Sequence, residues 1–264
     1  MDKRISLQES VALLPEKDAV LGLGGVTNYR RPMAFALAML ADPPARTFTL
    51  LSFTAGLESD ILVGAGLLSH VRTCYFGLEA FGLAPNFTRA ASEGALEIIE
   101  ESEASLALGL RATLSGVGFM PSRAWQGTDL LKLRPDVKEV LDPYTGARLT
   151  AFPAVRCDLA VIHALKADVM GNADIGQNWG VDRELAYAAD QVLITAEEVL
   201  PRLDRADIDG SVVTAVVEAP RGAWPTSCYP NYPLDGREIL QYVEAAGSES
   251  YDLLLRSWAD RHLN

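Results

Sequence analysis

The chain has 264 residues, 49% hydrophobic and 22% charged, and its 35 acidic against 23 basic residues leave a net charge of −12. That length suits one large α/β domain with a sizeable core, read here as residues 1–264, and the apolar content excludes intrinsic disorder. An acid excess without a basic run argues against nucleic acid or an anionic membrane surface as partner.

Met1 to Ser6 leads into an amphipathic stretch rather than the apolar core of a signal peptide. No window approaches the run of about 20 apolar residues that a membrane span needs. Cys74, Cys157 and Cys228 are scattered without a C-x-x-C pair, so no disulfide scaffold or zinc motif is expected. A reduced, cytoplasmic protein is the expectation.

In chain order, Ala19–Leu23 reads as a buried strand running into glycines, and residues 31–40 as a helix with Pro32 in its first turn. Residues 47–53 read as a strand, 61–68 as a short helix, 71–76 and 96–99 as strands, and 102–114 as a helix capped by Ser102. Residues 138–143 and 148–152 flank Tyr144-Thr145-Gly146 and read as an antiparallel hairpin. Apolar strands resume at 158–163, 191–195 and 211–217, with a helix at 183–189 between the first two, and residues 236–261 are helical in pattern. Apolar strands alternating with helices predict an α/β fold: an open, mostly parallel sheet with helices on both faces and a β-hairpin insertion.

The strongest local signal is Gly22-Leu23-Gly24-Gly25-Val26-Thr27, a strand that ends in glycines ahead of a helix. Glycines let the backbone approach a ligand, and free N–H groups there can hold an anion. No Gly-Lys-Ser/Thr follows, which excludes a Walker loop. Thr27 stands where a dinucleotide fingerprint needs its third glycine, and Thr54-Ala55-Gly56 supplies no acid after the second strand. A plain tight turn and an oxyanion hole remain, the latter with donors worth about 3 kcal/mol each.

Residues 18–32, DAVLGLGGVTNYRRP, resemble the signature of the A (alpha) subunits of family I coenzyme A transferases: an apolar strand, Gly-Gly-Phe, three residues, then Gly-x-Pro. Gly24, Gly25 and Pro32 match, Val26 replaces the Phe, and Arg30 replaces the third Gly, as in the glutaconate CoA-transferase branch. Gly118-Phe119-Met120-Pro121, residues 158–164, Gly171-Asn172, and the 219–229 segment are similar to that branch in the same order. The resemblance implies the sheet shared with ribose-5-phosphate-isomerase-like proteins. It also implies no permanently bound cofactor, an acyl-CoA thioester and a small carboxylic acid as substrates, and a B subunit whose glutamate forms a glutamyl-CoA thioester. On this reading the amides of Gly25 and Val26 stabilise the oxyanion, with Gly24 allowing close approach.

The family's nucleophile lies in a Ser-Glu-Asn-Gly-type motif of the B half. The pairs Ser92-Glu93, Ser102-Glu103 and Ser248-Glu249 do not extend to it, so the resemblance implies half of an enzyme. A related branch of ring-opening hydrolases implies a catalytic glutamate at Glu103, a position that equally suits an acid favoured by a helix dipole. A non-catalytic domain binding a phosphorylated metabolite is the reading from another class.

Arg30 and Arg31 could pair with a substrate carboxylate or a CoA phosphate, Arg30 the favoured one because its position tracks the branch signature, and a solvated helix start is the alternative for both. Thr54 and Gln126, the latter after the Phe119-Met120-Pro121 turn, are candidates for lining the acyl pocket. His163 reads as a satisfied core residue, and the three histidines lack metal-ligand spacing, so no metal is expected. Cys228 reads as a structural loop residue, because spacing identifies no histidine with an orienting acid near it.

Overall fold

The run Asp158-Leu159-Ala160-Val161-Ile162 shows how the sequence builds its centre. Leu159 and Val161 enter the core on one sheet face, Ala160 and Ile162 the core on the other, so the two-residue period stays apolar on both sides. The computed structural model describes residues 2–16 and 19–263. Met1 and Asp18, quoted above, lie outside the described residues.

Helix α1 (Leu7–Val11) precedes β1 (Val20–Leu23), α2 (Met33–Ala41), β2 (Phe48–Ser52), α3 (Leu57–Gly64), β3 (Leu68–Thr73), α4 (Pro85–Ser92), β4 (Glu97–Glu100) and α5 (Glu103–Leu114). An insertion follows, with β5 (Phe119–Ser122), α6 (Leu130–Leu133), β6 (Lys138–Leu141) and β7 (Arg148–Pro153). The chain then runs through β8 (Cys157–Ala164), β9 (Lys166–Asp168), β10 (Ala173–Asp174), α7 (Asp182–Ala188), β11 (Ala189–Ala196), β12 (Val199–Leu200), β13 (Ala215–Glu218), α8 (Gly236–Ala245) and α9 (Ser250–Leu263).

Seven strands form the main sheet in the order β13-β11-β8-β1-β2-β3-β4, and every ladder in it is parallel. Helices α5 and α7 cover one face through Leu106, Leu110 and Leu185, while α2 covers the other through Phe35 and Met39. Strand order reverses between β1 and β8, which opens a crevice at their carboxyl ends, where open α/β sheets bind ligands.

The expected hairpin is present, β6 and β7 pairing antiparallel. The segment read as a Phe119-Met120-Pro121 turn is instead β5, a third strand pairing with β7. The helix expected at 61–68 is α3 at Leu57–Gly64, and the strand expected at 71–76 is β3 at Leu68–Thr73. Gly66, at φ 70°, ends the helical path, so Leu67 and Leu68 turn into the sheet. The strand read over 211–217 begins later, because Asp209 caps a 3₁₀ turn at Gly210–Val212.

Candidate active site

Strand β1 enters the crevice with Gly24, whose N–H still donates to Val161 O at 3.0 Å. Gly25 then takes φ 89°, and a Cβ there would meet the carbonyl oxygens of Tyr29 and Arg30 at 2.7 Å each. Only glycine fits. Val26 and Tyr29 exchange backbone hydrogen bonds at 3.0 and 2.9 Å, closing a turn back on the strand end. Thr27 N–H donates to the buried Thr54 Oγ1 at 2.8 Å, so Thr54 clamps the turn to the end of β2.

The amides expected to receive an oxyanion are occupied within the chain. Gly25 N–H donates to both carboxylate oxygens of Asp182, at 2.9 and 3.1 Å, and Val26 N–H to Tyr29 O. Asp182 opens α7 and is buried, so it satisfies the loop from below. The glycine pair is a turn held by a carboxylate rather than an open anion cradle.

Arg30 also departs from its expected role as a substrate-binding cation. It is fully buried, donating to Asp182 Oδ2 at 2.9 Å and to the carbonyls of His163 and Asn178 at 2.8 Å each. Arg31 is equally buried, paired with Glu58 and donating to Thr54 O at 2.7 Å. Both guanidiniums knit the loop to the ends of neighbouring strands, leaving no donor for a CoA phosphate at solvent.

Glu103 stands in the first turn of α5, after the Ser102 cap. It is exposed and has no hydrogen-bond or ion-pair partner among the described residues. It lies near Cys74, whose thiol is pushed up to about 12 by burial and then by the charge of Glu103. The acid with a structural task is Glu101, buried between Arg72 at 2.6 Å and Arg134 at 2.8 Å. Trp125 Nε1 donates to Ser102 Oγ at 2.7 Å, pinning the insertion beside Glu103. Gln126 does not join the glycine loop: its side-chain amide donates to Arg148 O, and it lines a separate depression with Arg123 and Arg148.

Beside the loop, at the β1/β8 reversal, opens a cleft of about 760 Å³ whose walls include Tyr29, Leu165, Asp174, Trp179, Arg205 and Tyr229. Tyr29 OH donates to Tyr229 O at 3.0 Å across it. Arg205 is exposed and without an ion-pair partner among the described residues, the free cation that Arg30 is not.

A second constellation lies behind the loop. His163, at the end of β8, is fully buried, with Nδ1 2.9 Å from Thr195 Oγ1 and Nε2 2.8 Å from Glu197 Oε1. Glu197 also accepts from Tyr232 OH and from Arg221 N–H. Its carboxyl is opposed by burial, yet the His163 and Tyr232 hydrogen bonds hold it below the usual range. Cys228 packs against this pair, so a histidine with an orienting acid does stand near it, contrary to the reading from spacing. The thiol is buried and pushed up to about 12 by that burial and by Glu197, which disfavours the thiolate that an attack would need.

A sequence model of the coenzyme A transferase family matches residues 4–219. An uncharacterised Archaeoglobus fulgidus protein is 32% identical over 94% of this chain, and the alignment spans 57% of that protein's length. The A subunit of the 3-oxoadipate CoA-transferase of Pseudomonas knackmussii is 36% identical over 90% of this chain and 86% of its own. The IpdA subunit of a cholesterol ring-cleaving hydrolase from Rhodococcus jostii is 30% identical over 93% and 87%. Among solved structures, the decarboxylase AibA/AibB, in a cysteine-to-serine variant, superposes with a TM-score of 0.91 at 31% identity, covering 99% of this chain and 100% of that one. Glutaconate coenzyme A-transferase of Acidaminococcus fermentans gives 0.87 at 26% identity, covering 97% and 88%. No helix among the described residues is long and apolar enough to cross a membrane.

Proposed function

Since the chain belongs to the coenzyme A transferase family, we propose that it is the A subunit of a heteromeric enzyme moving CoA between an acyl-CoA thioester and a small carboxylic acid. One observation carries the reading. The two acids that hold the glycine loop, Asp182 and Glu58, are both buried in ion pairs with arginines. A carboxylate so paired cannot attack a thioester, because covalent catalysis needs it free beside the reacting carbon. The likeness to A subunits of heteromeric CoA-transferases supports assigning the attacking glutamate to a B subunit docked over the crevice.

In this reading the chain supplies the wall of the site: the rigid Gly24–Arg31 turn, Tyr29, and the cleft that receives part of the substrate. Arg205 is the group placed to meet an anionic end of the acyl moiety. Asn28 Oδ1 is buried without a hydrogen-bond partner among the described residues, a gap that a docked subunit or a bound thioester would close. The acyl-CoA enters as substrate, not as a resident cofactor. The relatives are enzyme subunits, which favours this reading over a non-catalytic metabolite sensor.

The test is CoA exchange between an acyl-CoA and a carboxylate acceptor, measured on the purified chain alone and again with a family B subunit. The chain alone is expected to be inert and the pair active; turnover by the chain alone overturns the proposal. A second reading, a hydrolase using Glu103, is supported by the exposure of that acid and by the likeness to the ring-cleaving hydrolase subunit. It predicts that water rather than the carboxylate accepts the acyl group, and that Glu103→Gln abolishes the reaction.

A further inference from the structure

We propose that His163, Glu197 and Cys228 form a structural binding site for one divalent transition metal ion of the zinc type, behind the glycine loop. Their ligand atoms lie within 4.8 Å of one another. They arrive from three separate segments: the end of β8, the residue after β11, and the loop that follows β13. Imidazole nitrogen, carboxylate oxygen and thiolate sulfur at about 2.0–2.3 Å are the donor set of a zinc-type centre. Tetrahedral placement at those lengths sets donors about 3.3–3.7 Å apart. The His163–Glu197 contact opens slightly from 2.8 Å and the thiol closes in.

The surroundings match what a metal site requires of its outer layer. A ligating histidine donates its other N–H to a fixed acceptor, which sets the tautomer. Here Nδ1 has Thr195 Oγ1 at 2.9 Å, leaving Nε2 directed at the site. Glu197 is held by Arg221 N–H on its second oxygen at 2.6 Å, and the Tyr232 hydroxyl beside its first oxygen is an additional oxygen donor. Gly222 lets the loop lie on the imidazole, because a Cβ there would meet His163 Cε1 at 2.8 Å. The Glu197 side chain keeps 9% of its surface in solvent, which gives an ion its way in.

Charge balance favours the exchange. At 2.8 Å, Nε2 and Oε1 must share a proton, since two lone pairs do not approach so closely. The Cys228 thiol carries a second proton. A dication entering the site displaces the thiol proton to solvent, while the imidazole proton moves from Nε2 to Nδ1, where Thr195 Oγ1 accepts it, leaving neutral imidazole, carboxylate and thiolate around the metal. The two anionic ligands offset the dication, so the usual penalty for burying a lone cation does not arise. The ion would tie the loop at 221–232 to the strand ends that carry the glycine turn, since Ser227 O accepts Arg30 N–H at 2.8 Å.

The test uses chelator-stripped full-length chain titrated with Co²⁺, then Zn²⁺. The expected result is one Co²⁺ per chain, a thiolate-to-cobalt charge-transfer band, about one proton released per ion, and loss of the band on adding Zn²⁺. Folded Cys228→Ser should lose the band, and Glu197→Gln, which keeps the thiol, should bind at least about tenfold more weakly. Absence of the band in the unmodified chain overturns the proposal even if a variant fails to fold. Persistence of the band in folded Cys228→Ser also overturns it, by assigning the sulfur to Cys74 or Cys157.

Discussion

Among the described residues Asp182 is the only counter-charge of the fully buried Arg30 guanidinium, at 2.9 Å, and the only acceptor of the Gly25 N–H, at 2.9 and 3.1 Å. Two substitutions separate the contributions. Asp182→Asn keeps an oxygen for Gly25 but leaves Arg30 charged and buried without its partner, a change that costs about 3–5 kcal/mol. Asp182→Ala also strands the Gly25 N–H, adding about 1–3 kcal/mol. Against a total stability of about 5–15 kcal/mol for a domain, the Ala variant is marginal and the Asn variant folds. Arg30→Met combined with Asp182→Asn removes the uncompensated charge and should recover part of the loss. Urea unfolding midpoints at constant slope report each difference. If Asp182→Ala shifts stability by less than about 1 kcal/mol, or the double variant is no better than Asp182→Asn, the pair does not carry the loop and the reasoning fails.

Gly25→Ala forces a Cβ to 2.7 Å from two backbone oxygens at φ 89°, so a loss of more than about 2 kcal/mol is expected on thermal unfolding. Glu103→Gln should change stability by less than about 0.5 kcal/mol, as an exposed residue without partners among the described residues. With a B subunit present, it should leave transfer to a carboxylate within about threefold; complete loss in that assay assigns the chemistry to Glu103. His262 is held down to about 4 from 6.5 by burial, so the unfolded chain takes up a proton on acidification before the folded one does. Its contribution is complete above pH 6.5 and falls away as pH drops toward 4, by about 3 kcal/mol at most. His262→Gln should flatten that part of the stability profile, and an unchanged profile would show that another group dominates.

The order and parallel sense of the sheet are legible in the sequence where apolar runs are continuous, as at Leu159 to Ile162. Helix α3 reads too late in the chain because Glu58, Ser59 and Asp60 look like solvent-facing residues. All three are buried, Glu58 against Arg31 and Asp60 against Tyr242 OH and the Phe87 N–H. Long-range pairing hides the site in the same way. Gly24 and Gly25 announce a turn, but nothing local indicates that the acceptor for Gly25 lies 157 residues away or that Arg30 finds its counter-charge 152 residues along. His163 and Cys228 look ordinary singly, and only the packing of the loop after β13 onto β8 brings them together. Gln126 shows the converse: proximity in sequence to Trp125 suggests a pocket, yet its side chain turns to β7.

The most direct test of the division of labour is to mix an acyl-CoA with the chain and its B subunit, quench, and weigh each polypeptide separately. A CoA adduct is expected on the B subunit, with none on this chain. An adduct on this chain would contradict that division.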